Sequence, residues 1–307
     1  GGGGGRLVGH FFLDLHPRPG KYGHQCVLPI APSFVRVNDL TSLRTRVRPA
    51  CCIVGNMSAA PTDGSTPALL RFNEVQTFFH EFGHVVHCLC TDAQFSRLSW
   101  AWPMVPWPGG VENDFLEVPS MMSEQMVYSL DVIHRVSGDW RKREGHDDGF
   151  TLPTDIAESI VTTKHLMDGL SWTRFIGMAY FDMLMHSSAP PYAYNGKDDL
   201  SLSELFDEVQ EHISGKTKLD GTHYAASWYH LCTGYDAGYY SYLWSEWVAH
   251  DLYDSFKHAP NGCTDPLVGR KYRQAILDPG ATRPGLAMLN DFLGREPRPD
   301  AFVAALK

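Results

Sequence analysis

The chain has 307 residues, 43% of them hydrophobic, enough to bury a large core in one domain or two lobes. Its 35 acidic and 26 basic residues leave a net charge of −9 without any basic cluster, so nucleic acid is not an expected partner. No apolar run approaches the ~18 residues of a membrane span, and the richest, Phe175 to Met185, is interrupted by Asp182.

In chain order, residues 1–6 read as a Gly-rich linker or truncation scar, leaving 7–307 as the folded unit. Strand character fills the part from 7 to 66, in Leu7 to Leu15, Gln25 to Ile30 and Arg46 to Val54, separated by Pro/Gly turns. From 67 to 307 the pattern is helical. Helices are expected at Leu69 to Cys90, Glu112 to Val136 with a kink at Pro119, Thr154 to Leu166, Ser171 to His186 and Ser201 to Ile213. Others are expected at Tyr235 to Phe256, Pro266 to Ala275 and Pro299 to Ala305. Asn73 is the expected cap of the first, unless that helix begins earlier. Seven cysteines without a disulfide or metal-ligand rhythm suit a reducing compartment.

The first helix carries Phe79-His80-Glu81-Phe82-Gly83-His84. Residues four apart share a helix face, so His80 and His84 can offer two imidazole nitrogens to one tetrahedral ion. Glu81 then lies beside that ion as the general base for a bound water. The bland alternative is a buried amphipathic helix with core histidines. His87 stands about 10.5 Å along the axis from His80, too far to join both histidines on one ion, and reads as a core or supporting histidine. Cys88 and Cys90 read as small buried hydrophobes.

A third ligand must come from elsewhere, and a metzincin histidine is excluded because its place holds Cys90. The stretch 111–124 offers carboxylates. On a helix Asp114, Glu117 and Glu124 share one side, but spacing does not choose among Glu112, Glu117 and Glu124, and a solvated acidic face is the ordinary outcome. Further on, Tyr235, Tyr239 and Tyr242 align on one face if their helix begins near Tyr235. Such a stripe is usually core, yet Gly234 and Gly238 beside His230 suggest a mobile loop instead.

Three separated segments carry a resemblance: Phe79 to His87; Asp114 to Ser120 with Glu124; and His230 to Glu246. With Gly9 to Leu15 and Gly20 to Tyr22, they resemble the zinc metallopeptidase family of thimet oligopeptidase, neurolysin and oligopeptidase A. The resemblance implies a mainly α, multi-helix zincin-type catalytic domain with a small β-sheet near the N-terminus, forming one wall of a deep peptide channel. It implies one Zn2+ per chain on His80, His84 and Glu117, with Glu81 activating water and Glu124 and Asp114 orienting the ligands. Tyr242, then Tyr239 and His230, would stabilise the oxyanion, in a substrate loop containing Gly234, Tyr235 and Gly238.

The implied activity is internal cleavage of short peptides. Family members are much longer, so only their C-terminal catalytic half is matched, and the missing N-terminal half is an expected partner of an otherwise monomeric chain. Glu117-Val118-Pro119-Ser120 also resembles the mitochondrial intermediate peptidase branch, and a truncated zinc-binding or peptide-binding module is the reading outside catalysis. A cytoplasmic location is expected, with mitochondria as the alternative and an N-terminal targeting region absent. The segment 100–110, rich in Trp, Pro and Gly, reads as an inserted surface loop at the cleft mouth or a neutral insertion.

Overall fold

A computed structural model describes residues 7–38, 41–99, 110–142 and 151–307. The strands β1 (His10–Asp14), β2 (Cys26–Ala31), β3 (Phe34–Val37), β4 (Arg44–Val47) and β5 (Ala50–Val54) come first. β5 lies at the centre of a three-stranded sheet, parallel to β1 and antiparallel to β2, while β3 and β4 form a separate antiparallel pair. The single strand expected from Arg46 to Val54 is therefore two. Pro49 has no N–H to extend a ladder, and the chain changes sheets there.

The sheet buries Val27, Cys51 and Ile53 against Val85 and Cys88 of helix α1 (Phe72–Cys90). Cys88 is a buried core residue as expected, and all seven cysteines are free thiols. α1 is capped at Arg71, not at Asn73. Glu74 reaches back to accept from the Arg71 N–H at 2.8 Å, and its other oxygen accepts from the Ser58 N–H at 2.6 Å. The helix ends where Asp92 N–H bonds the Asp278 carbonyl at 2.7 Å; farther on, Gly110 N–H bonds the Arg97 carbonyl at 3.0 Å. Residues 1–6 and 100–109, with nearly all of the expected insertion, lie outside the described residues.

The helix expected over 112–136 is two, α2 (Val118–Val127) and α3 (Leu130–Val136), preceded by turns. Pro119 does not kink anything, because it sits in the first turn of α2, where a missing N–H costs no helical bond. Ser129 is extended and separates α2 from α3. Next come α4 (Thr154–Thr162), α5 (Asp168–Ser187), a hairpin of β6 (Tyr192–Tyr194) and β7 (Lys197–Leu200), α6 (Leu202–Ser214) and α7 (Tyr224–Ser227). Ser201 and Glu204 close a reciprocal capping box on α6.

The helix expected from Tyr235 begins six residues later, as α8 (Ser241–Lys257). Gly234 and Ala237 have φ of +95° and +52°, which no right-handed helix accommodates, so residues 234–240 are a tight loop. α9 (Pro266–Tyr272) runs into a π turn at Arg273–Leu277, followed by α10 (Gly285–Leu293) and α11 (Asp300–Ala305).

The result is mainly helical with small sheets near the N-terminus, as expected, plus one hairpin within the helical part. One core gathers Met122, Leu252, Phe256 and Phe292 from α2, α8 and α10. A second joins α5 and α6 to the hairpin and to Tyr235 and Tyr239, and Tyr242 packs against both. That junction faces the α1 histidines. Among the described residues, no helix is long and apolar enough to cross a membrane.

Candidate metal centre

His80 and His84 stand one turn apart on α1, their ring centroids 5.1 Å apart. Gly83 between them is a matter of space: a Cβ there would lie 2.6 Å from the Pro119 carbonyl oxygen and from Ser120 Cα. Its absence lets the start of α2 press against α1, which brings Glu117 up to the imidazoles. Glu117 Oε2 lies 3.3 Å from His80 Nε2 and 3.1 Å from His84 Nε2. Zinc with bonds of ~2.0–2.1 Å in a tetrahedral site separates neighbouring donors by about 3.4 Å, so this nitrogen, nitrogen and oxygen set fits zinc. It is the one cluster of three or more metal-ligating groups among the described residues.

Each donor is held from behind. His80 Nδ1 bonds Glu124 Oε1 at 2.6 Å, which turns Nε2 toward Glu117. The other Glu124 oxygen accepts from Gln76 Nε2 at 2.7 Å, and Gln76 Oε1 accepts from Tyr128 Oη at 3.0 Å. Glu117 accepts from Ser120 Oγ at 2.7 Å and from Tyr235 Oη at 2.9 Å. Burial disfavours charge on both sides of the cluster, but the partners prevail. The hydrogen bonds that Glu117 and Glu124 accept raise His80 well above the ordinary imidazole range, while His84 and then His80 hold Glu117 well below the carboxylate range.

Glu81 is 4% exposed, and its Oε2 has no hydrogen-bond partner among the described residues. Burial pushes its carboxyl above the usual range, against the pull of His80 and His84. It opens with His80, His84, Glu117 and Glu124 onto a cleft of about 770 Å³. His230, Tyr235, Tyr239 and Tyr242 line the opposite side, so most of the residues named from the sequence share one cavity. Tyr235 and Tyr242 stack at 5.0 Å and Tyr239 lies 5.3 Å from Tyr242. Burial, then Glu117, raises Tyr242 well above the usual phenol range, and burial lifts Tyr239 to about 12, so both hydroxyls stay protonated donors. Burial lowers His230 and so does His24, leaving a neutral ring that stacks on Tyr229 at 4.4 Å.

Asp114 is placed differently. Because 112–117 is turn and not helix, Asp114 and Glu117 do not share a face; Asp114 bonds Tyr240 Oη at 3.2 Å and its carbonyl accepts from Ser245 Oγ at 2.8 Å. Nor is the tyrosine loop loose. Asp182 of α5, fully buried, accepts from the Ala237 N–H at 3.0 Å on one carboxylate oxygen and from the Tyr239 N–H at 2.9 Å on the other. His186 Nδ1 lies 2.9 Å from the same carboxylate and 3.3 Å from the Ala237 N–H, for which it is a second acceptor. Asn113 Nδ2 donates to the Gly234 carbonyl at 3.3 Å and would lie 2.7 Å from a Cβ at residue 238, so glycine there admits it.

Sequence reasoning passed over Asp182, seen only as a break in an apolar run, and His24, which lines the cleft. His24 lies 6.2 Å from the His230 ring, and burial followed by His80 lowers it. No periodic signal marks either residue.

The chain is 33% identical over 303 residues to a thimet-like oligopeptidase of Dictyostelium discoideum, covering 98% of this chain and 41% of that protein. It is 34% identical over 311 residues to saccharolysin of Saccharomyces cerevisiae, covering 98% and 38%. It thus spans about two fifths of the length of these relatives. Among solved structures it resembles PZ peptidase A with inhibitor 2, at a TM-score of 0.54 and 14% identity over 96% of this chain and 42% of that one. It also resembles Pyrococcus furiosus carboxypeptidase, at 0.56 and 14% over 98% and 54%. These two are likenesses of fold. The family model described as peptidase family M3 matches residues 3–307, and the chain belongs to that family.

Proposed function

We propose that the chain is the catalytic part of a zinc-dependent oligopeptidase, hydrolysing internal bonds of short peptides. The observation that carries this reading is a set of three donor atoms within 4.8 Å of one another, with Glu117 Oε2 3.3 and 3.1 Å from the two imidazole nitrogens, beside a buried carboxylate oxygen that has no partner among the described residues. The relatives named as oligopeptidases support it. His80, His84 and Glu117 would hold the ion, which when bound lowers the pKa of a water and polarises the scissile carbonyl. Glu81 takes the proton of the attacking water and returns it to the leaving amine. Tyr242 and Tyr239, protonated and facing the triad, donate to the developing oxyanion, with neutral His230 beside them. Tyr235 already spends its proton on Glu117 Oε1, so it holds the ligand in place. No covalent enzyme intermediate is needed.

In this reading the cleft is one wall of a peptide channel, and the lengths of the relatives imply that another segment supplies the facing wall. Glu81→Gln should keep one zinc per chain and lose most cleavage of a quenched fluorescent peptide. A variant that still cleaves near the wild-type rate sinks the assignment of the base. Stoichiometric zinc without chelator-sensitive turnover in the wild type instead favours a zinc-binding or peptide-binding module.

A further inference from the structure

Behind the tyrosines lies a second recess of about 360 Å³, lined by Arg174 and Met178 of α5, Lys216, Tyr224, and the rings of Phe175 and Tyr239. Phe175 and Tyr239 stack at 4.9 Å with planes 18° apart, and the same two rings line the catalytic cleft. The stacked pair is thus common to the two cavities.

The recess is basic in an acidic protein. Among the described residues, no carboxylate lines it and none lies within ion-pair distance of Arg174 or Lys216. Nearby lysines are neutralised: Lys218 pairs with Asp207 at 2.9 Å, and Lys197 pairs with Glu208. The Arg174 guanidinium lies 5.8 Å from the Tyr224 ring centroid and donates to the Tyr224 hydroxyl at 3.4 Å, a neutral partner that positions it without discharging it. Two cations on one concave, partly aromatic site whose other lining side chains are uncharged match a carboxylate.

We propose that this recess binds a carboxylate of the peptide whose scissile bond lies at the metal centre. The proposal rests on the peptidase reading and names a substrate class for it. Phe175 lies 5.9 Å from Tyr242, and Tyr242 lies 5.0 Å from the Tyr235 ring whose hydroxyl donates to Glu117, so the recess is within a few residues of extended peptide of the metal centre. A bound peptide can therefore present to Arg174 and Lys216 either an acidic side chain a few residues from the cleaved bond or its own C-terminal carboxylate.

The test uses the zinc-loaded Glu81→Gln chain and fluorescent nonapeptides in three forms: neutral with an amidated C-terminus, neutral with a free C-terminus, and amidated with one Glu scanned along the sequence. Binding is read by anisotropy. At least one carboxylate-bearing form should bind about tenfold tighter than the neutral amide. Arg174→Gln and Lys216→Gln should each remove several-fold of that preference and together abolish it, leaving affinity for the neutral amide unchanged as evidence that the fold is intact. A preference for the free C-terminus assigns the recess to the terminal carboxylate, and a Glu-position preference assigns it to a side chain. Equal binding of all forms, or a preference surviving in the double variant, overturns the proposal while cleavage by the wild type leaves the peptidase reading standing. Absence of both binding and wild-type cleavage overturns the two together.

Discussion

Replacing Asp182 by Asn tests whether a single buried carboxylate holds the tyrosine loop. The side chains are nearly the same shape, but the carboxylate receives one backbone N–H on each oxygen, at 3.0 and 2.9 Å. An amide in either orientation offers one carbonyl oxygen and turns an NH2 group toward the other N–H. The favoured orientation turns the NH2 toward the exposed Ala237 N–H, which keeps His186 Nδ1 as an acceptor at 3.3 Å, so the cost is one hydrogen bond to a charged group, about 1.5–3 kcal/mol. That is a drop of roughly 2–5 °C in midpoint for a chain of this size. Thermal and urea unfolding of the zinc-loaded protein measure it directly. The loop should also loosen from Glu117, since Tyr235 is carried on it, so peptide cleavage per folded molecule should fall. A midpoint and a cleavage rate both unchanged from wild type would show that these two amide bonds are not what fixes the loop.

Three further substitutions probe the centre and its supports. Gly83→Ala drives a methyl into the Pro119 carbonyl, so overpacking of about 1–3 kcal/mol and weaker zinc binding are expected in unfolding and zinc-competition titrations; unchanged values for both would show that α1 and α2 can separate freely. Glu124→Gln should weaken zinc about 10–100-fold in competition with a chelator, because the group that orients His80 loses its charge; unaltered affinity would mean that ring packing alone sets the His80 rotamer. His87 is fully buried with both nitrogens unbonded among the described residues, and burial depresses it to about 3. Its folded pKa lies below the unfolded value, so it binds a proton only on unfolding between about pH 6.5 and 3, and stability drains away as pH falls through that window. At pH 5 that share is about 2 kcal/mol relative to neutral pH, and His87→Leu should remove it; a variant as acid-sensitive as wild type in urea titrations would refute the assignment.

The helix of His80 and His84 was legible because its geometry is local. Four-residue spacing puts His80 and His84 on one face whatever the rest of the chain does, and only a few residues around them need be read. Glu117 was legible only through resemblance, since its partners are set by how α2 docks on α1, and that docking depends on the missing Cβ of Gly83. The start of α8 misled for a related reason. Tyr235, Tyr239 and Tyr242 have helical spacing, but the positive φ of Ala237 is sustained by a carboxylate 55 residues away, which no window detects. Asp182 itself looked like a flaw in an apolar run and is instead the anchor of that loop. The β6–β7 hairpin carried its own signal in Asn195-Gly196, both at positive φ, which helical periodicity passes over.

The backbone bond from Gly110 N–H to the Arg97 carbonyl closes the base of the segment between α1 and α2 before the chain reaches Glu117. The position of the third ligand is thereby uncoupled from the length of what lies between Arg97 and Gly110.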